Sequence, residues 1–213
     1  MLFYSGFELI NSSLALCTNV NTALAVIFIC YTYIMKKLIF FGDSLLARIN
    51  PDMIKKIEES IGSIIIDNHA VGGSTTNDAL EIIESVSKLK ADYVVISLGT
   101  NDILKDNLSC PEYLENMIKI ISEFSESKVF VWLTPPANDI NDPEGTKEFN
   151  EKIGQYFDGL KNICKDYNFN FIDTFSVYKD AVMLDNKYHE EDGIHLSVDG
   201  YKLFTGSLVK TFK

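Results

Sequence analysis

One histidine in this chain of 213 residues has a carboxylate placed to orient it. Asp192 stands three residues before His195, so its side chain can reach back across one turn to the imidazole. A histidine held in this way can act as a general base, because the carboxylate fixes which ring nitrogen is free to take a proton. The other two histidines, His69 and His189, lie beside a glycine turn and in a charged loop, where structural or surface roles are expected.

A base of this kind can activate a serine hydroxyl, and Ser44 is the candidate. It lies in the block Gly42–Leu45, directly after an apolar run. A serine at a strand-to-helix turn exposes its hydroxyl at the edge of the sheet, and its own N–H lies at a helix N-terminus, where negative charge is favoured. The block alone also fits a simpler role, in which Asp43 or Ser44 only caps the following helix.

Two further blocks offer hydrogen-bond donors for an anion. The segment Asn68–Thr76 is rich in glycine and other small residues. Such a loop permits close backbone approach and positive φ, so it can aim N–H groups at negative charge. The segment Gly99–Asp102 offers the side-chain amide of Asn101. Each block also fits an ordinary turn, with a threonine helix cap in the first and an Asx-turn in the second.

These blocks need a scaffold that brings them to one edge. Short β-branched or aromatic runs alternate with stretches of helical period from Leu38 onward. The predicted strands are Leu38–Phe41, Ile64–Asp67, Tyr93–Leu98, Val129–Leu133 and Phe169–Ile172. The predicted helices are Leu45–Ile61, Thr76–Leu89, Glu112–Ser125, Thr146–Tyr167 and one from Ser197 toward Lys210. This alternation predicts an α/β fold of flavodoxin-like type, a three-layer α/β/α sandwich around a five-stranded parallel sheet ordered 2-1-3-4-5, with ligands at the carboxyl ends of the strands.

These three blocks and a fourth, Asp192–His195, resemble in content and order those of the GDSL or SGNH hydrolases, and the resemblance covers residues 36–213. It implies that Ser44 is the nucleophile and that Asp192 and His195 complete a catalytic triad. It also implies an oxyanion hole made of the backbone N–H groups of Ser44 and Gly73 and the side-chain amide of Asn101. By this resemblance the reaction needs no metal and no cofactor.

The glycine of the oxyanion hole is ambiguous by one residue. Gly72 and Gly73 are adjacent, and Gly73 is chosen because it directly precedes the run Ser74–Thr76, which matches the small-residue block of the family. The sequence has no G-x-S-x-G elbow, which argues against the ordinary α/β-hydrolases and their lipases.

The activity that the resemblance implies is that of a serine esterase or acylhydrolase, which cleaves carboxylic esters through an acyl-enzyme. The 178 residues from Lys36 to Lys213 leave little room for a lid. An open crevice and short acyl groups are therefore expected, above all acetyl esters of a sugar or another small alcohol. The same triad would serve a thioesterase, a lysophospholipase or an acyltransferase. A non-catalytic binding protein is a more distant alternative, and the intact set of site residues argues against it.

Charge and cysteine content exclude several other classes. Thirty acidic residues against 19 basic ones give a net charge of −11, which would repel a nucleic-acid backbone. The expected partner is a small-molecule ester. Four cysteines without CxxC spacing indicate neither a zinc site nor a disulfide scaffold, and they favour a reduced compartment. A cytoplasmic location is therefore expected.

Residues 1–35 differ in composition from the rest of the chain. Twenty-four of them are hydrophobic and one, Glu8, is charged. Three interpretations stay open: upstream sequence translated from a wrongly assigned start, a membrane anchor, or a packed extension. The longest apolar run, Ala23–Met35, has 13 residues, which is short for a bilayer core about 30 Å thick.

The expected organisation is thus an apolar N-terminal extension over residues 1–35 followed by one hydrolase domain over residues 36–213. The first predicted strand begins at Leu38 with no linker after the apolar run, which weighs against an anchor. Contact with a membrane is expected only if residues 1–34 are a genuine anchor.

Overall fold

The computed structural model describes residues 35–105, 108–138, 141–174, 178 and 186–212. The expectations for residues 1–34, and with them the two-part division of the chain, lie outside these ranges and stay predictions. Within the described ranges, no helix is both long enough and apolar enough to cross a membrane.

Five strands form one sheet. They are β1 (Lys36–Gly42), β2 (Ile64–Asn68), β3 (Tyr93–Ser97), β4 (Lys128–Trp132) and β5 (Asn170–Ile172). Their order in the sheet is β2-β1-β3-β4-β5, which confirms the predicted topology. The pairing is parallel, with Leu38 opposite Tyr93 and Tyr93 opposite Lys128. The central strands are covered on both faces, which is why their sequences are continuous apolar runs.

Helices cover both faces of the sheet. They are α1 (Ser44–Ala47), α2 (Pro51–Ile61), α3 (Thr76–Ser87), α4 (Thr100–Leu104), α5 (Cys110–Glu123), α6 (Pro143–Ile163) and α7 (Val198–Phe212), with a 3₁₀ turn over Asn186–Tyr188. Successive residues of a strand point into opposite layers. Phe41 and Val94 pack with α3, α5 and α6, whereas Phe40 and Val95 pack with α1, α2 and α7. The predicted three-layer sandwich is therefore confirmed.

The prediction of one helix over Leu45–Ile61 is wrong. The chain forms α1 and α2 instead, because proline lacks an N–H and suits the first turn of a helix rather than its interior. Pro51 begins α2, and the side chain of Asn50 caps it by accepting the N–H of Met53 at 3.0 Å.

Two other helices also differ from the prediction. The short helix α4 was not predicted, and α6 begins at Pro143 rather than at Thr146, because the side chain of Asp142 caps it by accepting the N–H of Gly145 at 3.0 Å.

We expect Phe204→Ala to lower the free energy of unfolding by about 3–5 kcal/mol. The ring of Phe204 stacks on Trp132 with centroids 3.6 Å apart, and both side chains are fully buried, so truncation leaves a cavity in the core. Val198→Ala, at a residue of α7 that is 71% exposed, is the matched control. Urea unfolding followed by circular dichroism measures both variants, and a loss in Phe204→Ala no larger than in the control would contradict this account of the core.

Candidate active site

At the carboxyl end of β1 the chain passes very close to β3. A Cβ atom at Gly42 would stand 2.1 Å from the carbonyl oxygen of Ser97, so only glycine fits here. The N–H of Asp43 donates to that same oxygen at 3.0 Å. The turn that follows therefore emerges at the carboxyl edge of the sheet, between its two central strands.

This turn carries Ser44, the first residue of α1, which is partly buried. Asp43 caps the helix, since its Oδ1 accepts the N–H of Leu45 at 3.0 Å. The capping role that the sequence left open between Asp43 and Ser44 thus belongs to Asp43. The hydroxyl of Ser44 lies 3.1 Å from Nε2 of His195.

The other ring nitrogen of His195 faces Asp192. Nδ1 lies 2.6 Å from Oδ2 of the carboxylate, while Oδ1 accepts the backbone N–H groups of Ile194 at 3.0 Å and His195 at 2.8 Å. Partial burial raises the pKa of Asp192, but the hydrogen bonds from the His195 ring and from the two N–H groups outweigh this effect and bring the pKa to about 2. The carboxylate is therefore charged at neutral pH and can hold the ring.

The segment before α7 that carries this Asp–His pair is fixed at several points. The N–H of Glu190 donates to the carbonyl of His195 at 2.8 Å, which closes the segment on itself. The Glu190 carboxylate accepts a hydrogen bond from Arg48, next to α1, at 2.9 Å. The N–H of Asn138, in the segment after β4, donates to the carbonyl of Gly193 at 2.8 Å. The histidine is thus tied to two neighbouring parts of the fold.

The turn Val71–Ser74 follows β2 and lies beside the end of β1, since the N–H of Val71 donates to the carbonyl of Gly42 at 2.9 Å. The N–H of Ser74 donates to the carbonyl of Val71 at 3.2 Å, and Gly73 has a φ of +81°, a conformation that favours glycine. Its neighbour Gly72 does not adopt positive φ. Among the residues described, the N–H groups of Gly73 and Ser44 find no hydrogen-bond acceptor. Both N–H groups are therefore available to a ligand.

Asn101 lies beside this turn, on α4. Gly99 precedes the helix with a φ of +135°, a backbone conformation that residues other than glycine rarely adopt. The amide of Asn101 is buried and donates one hydrogen bond to the carbonyl of Ser74 at 3.1 Å. Its second N–H has no acceptor within the described part of the chain. The predicted donors Gly73 and Asn101 are thus brought together by direct contact between their two loops.

Asp102 also connects these loops, a role that the sequence did not predict. It is fully buried, and its Oδ1 accepts the N–H of Thr76 at 2.9 Å and the hydroxyl of Thr76 at 2.5 Å. Thr76 is the first residue of α3, so the carboxylate joins the start of this helix to α4. Its place next to Asn101 in the sequence is the one signal that could have indicated the role.

The other two histidines have structural surroundings. His69 lies beside Asp67, with Nε2 3.0 Å from Oδ2. His189 is buried rather than solvated as its charged neighbours suggested, and burial lowers its pKa. It forms a β-bridge with Leu196 and its ring lies edge-on to Tyr178 at a centroid distance of 6.1 Å. His189 therefore packs beneath the segment that carries His195.

One group of side chains has the atom types of a metal site. Ligand atoms of Glu190, Asp192 and His195 lie within 4.8 Å of one another. Glu190 is already paired with Arg48, and Asp192 with the imidazole, so these contacts explain the cluster without an ion. The expectation that the reaction needs no metal stays a prediction.

A known family matches the part of the chain that carries this site. The profile of the GDSL-like Lipase/Acylhydrolase family covers residues 40–203. Among curated proteins, GDSL esterase/lipase CPRD49 of Arabidopsis thaliana is 23% identical over 165 residues, which are 66% of this chain and 63% of the relative. This chain therefore spans less than two thirds of the length of that relative.

Solved structures share the fold. A lipase/acylhydrolase from Enterococcus faecalis is 26% identical and superposes with a TM-score of 0.71, covering 83% of this chain and 95% of its own. A mutant of Axe2, an acetylxylan esterase from Geobacillus stearothermophilus, is 18% identical with a TM-score of 0.71, covering 83% and 94%. With the family profile spanning most of the sequence and the fold in agreement, the chain belongs to the GDSL-like lipase/acylhydrolase family.

Proposed function

We propose that this protein is a serine esterase in which Ser44 is the nucleophile, His195 the general base and Asp192 the orienting carboxylate. The observation that carries the proposal is one chain of contacts, with 2.6 Å from Asp192 to His195 and 3.1 Å from His195 to Ser44. A carboxylate next to an imidazole next to a hydroxyl is the order of groups that a hydrolase triad requires. Membership of a family of lipases and acylhydrolases supports the same chemistry.

In the first half of the reaction, the oxygen of Ser44 attacks the ester carbonyl while Nε2 of His195 takes the hydroxyl proton. The charged Asp192 stabilises the imidazolium that forms. Negative charge develops on the carbonyl oxygen. The imidazolium then gives its proton to the departing alcohol, and an acyl-enzyme remains on Ser44.

Three donors would hold that negative oxygen: the N–H groups of Ser44 and Gly73, and the second amide hydrogen of Asn101. None of these hydrogens has an acceptor among the described residues, which supports their assignment. Donors that are already in place cost no reorganisation when the charge appears. Water then attacks the acyl-enzyme with His195 again as the base, and the same donors hold the negative oxygen. The bond between the acyl carbon and the Ser44 oxygen breaks, the acid leaves, and the imidazolium returns its proton to Ser44.

The substrate class that we propose is short acyl esters, above all acetyl groups on a sugar or another small alcohol. The rim of the site beside Gly73 is open, since Val71 is 52% exposed and Gly72 is exposed as well. An open rim offers little apolar wall to a long acyl chain. The shared fold with an acetylxylan esterase is compatible with this class.

Beneath the nucleophile lies the fully buried carboxyl of Asp43. Burial raises its pKa to about 7, since the charge of Asp102 acts in the same direction and the hydrogen bond from the N–H of Leu45 offsets only part of the effect. The position of Ser44 thus depends on a helix cap that is costly to ionise.

Ser44→Ala should lower the turnover of p-nitrophenyl acetate by at least about 10³-fold, because no other group would form the acyl-enzyme. The same variant should lose all labelling by a fluorophosphonate. Ser122→Ala is the matched control, since the hydroxyl of Ser122 is bonded to the carbonyl of Ile118 on an exposed face of α5. Labelling that persists in Ser44→Ala would show that the nucleophile is another residue.

An acyl-length series tests the substrate class. With p-nitrophenyl esters from acetyl through butyryl to octanoyl, kcat/KM should be highest for acetyl, because the open rim gives longer chains no apolar wall to bind. Steady-state kinetics on the wild-type protein measures the trend. A rise in kcat/KM toward octanoyl would contradict the proposed substrate class but not the proposed triad.

Asp43→Asn should stabilise the protein more at pH 8 than at pH 5. The pKa of Asp43 is about 7 in the folded protein and near 4 in the unfolded chain, so the folded state keeps a proton that the unfolded state releases. The free energy of unfolding of the wild type therefore falls as the pH rises between these values, by about 2–3 kcal/mol from pH 5 to pH 8. Urea unfolding of both proteins at both pH values measures this, and a difference that does not change with pH would contradict it.

A further inference from the structure

A lysine side chain reaches the turn that holds the proposed oxyanion glycine. Lys105 directly follows α4, and its backbone N–H donates to the carbonyl of Asn101 at 2.8 Å. Its ammonium Nζ donates to the carbonyl of Gly73 at 2.6 Å. The helix α4 therefore carries the Asn101 amide of the proposed oxyanion hole, and the residue that follows it places an ammonium group on Gly73, which supplies a backbone donor.

These two side chains hold the turn at adjacent points. Asn101 bonds to the carbonyl of Ser74 and Lys105 to the carbonyl of Gly73, so both carbonyl groups face α4. A Cβ atom at position 73 would stand 2.9 Å from Nζ, which shows how closely the ammonium packs against the glycine.

No described carboxylate forms an ion pair with Lys105, although its charge also acts on Asp78, in the first turn of α3. On the histidine side of Ser44, Glu190 is paired with Arg48 and Asp192 with His195, and elsewhere around Ser44 the buried carboxyl groups of Asp43 and Asp102 accept the N–H groups of Leu45 and Thr76. In a protein of net charge −11, the ammonium is therefore a local source of positive potential on the side where the ester oxygen becomes negative.

We propose that Lys105 accelerates the reaction in two ways: it positions the Gly73 turn, and its charge stabilises the developing oxyanion. This inference rests on the proposed function of the site. The ammonium is exposed to solvent, so its effect is that of a screened charge and amounts to about three- to tenfold in rate at low ionic strength. Lys105 is a positioning residue in this scheme, since it donates its hydrogen bond to Gly73 and not to the substrate.

Three variants separate the charge from the hydrogen bond. Lys105→Arg keeps both, Lys105→Gln keeps a neutral donor, and Lys105→Met keeps only the apolar stem. Lys128→Met is the control for removal of a positive charge, because Lys128 begins β4 at the amino end of the sheet, away from the site.

The probe is an uncharged alkyl fluorophosphonate, whose reaction with Ser44 also places negative charge on an oxygen in the oxyanion hole. We expect the second-order rate constant of labelling at low salt to fall about three- to tenfold in Lys105→Gln, which loses the charge, to fall further in Lys105→Met, which also loses the hydrogen bond, and to stay within about twofold in Lys105→Arg. The gap between wild type and these two variants should narrow at 1 M NaCl, where the Debye length is about 3 Å. Melting temperatures should stay close to that of the wild type.

The outcomes distinguish this inference from the proposed function. A wild-type rate in Lys105→Met or in Lys105→Gln, or a loss that does not change with salt, overturns the role of the charge while Ser44 remains labelled. A fluorophosphonate that fails to label the wild-type protein overturns the proposed function itself, and the inference with it. A loss of equal size in Lys128→Met would assign the effect to net charge and overturn the role of Lys105.

Discussion

The close approach of β1 to β3 at Gly42 is the constraint on which the site depends. A side chain at this position would overlap the carbonyl of Ser97. Because it is absent, the backbone of Asp43 can bond to that carbonyl and the chain can turn into α1 at the level where β3 ends. This brings Ser44 next to the loop that begins at Gly99. The hydroxyl of Ser44 and the loop that carries Asn101 therefore both depend on this contact between two strands.

Two buried carboxyl groups fix the starts of two helices near this close approach of β1 to β3. Asp43 accepts the N–H of Leu45 at the start of α1, and Asp102 accepts the N–H of Thr76 at the start of α3. Carboxylates are favoured at helix N-termini, but burial and the nearby Asp102 raise the pKa of Asp43 and make its ionisation costly. The two carboxyl groups thus fix the positions of Ser44 and the Gly73 turn, and the raised pKa of Asp43 lowers the free energy of unfolding at neutral pH.

The sheet could be predicted from the sequence because its strands are apolar runs separated by helical periodicity, a local signal. Helix boundaries were harder to predict. The apolar pattern continues past Pro51, so it predicted one long helix where the structure has two. The helix α4 has five residues, which is too short to show a helical period. The motif blocks predicted which side chains would meet, and the structure brings Ser44 and His195 within 3.1 Å across a separation of 151 residues. The contact of Lys105 with Gly73 has no such motif, so it could only be found in three dimensions.

The two sides of the site are held in place by separate sets of hydrogen bonds. On the histidine side, the side chain of Asn150 on α6 pairs with both backbone groups of Ala137, at 2.7 and 2.9 Å, and the next residue, Asn138, bonds to Gly193. On the donor side, the Gly73 turn is attached to α4. These bonds share no residue, so the two sides of the site are held by different neighbours. What joins them is β1: Ser44 follows this strand and contacts His195, and the N–H of Val71, in the Gly73 turn, donates to the carbonyl of Gly42 at its end at 2.9 Å.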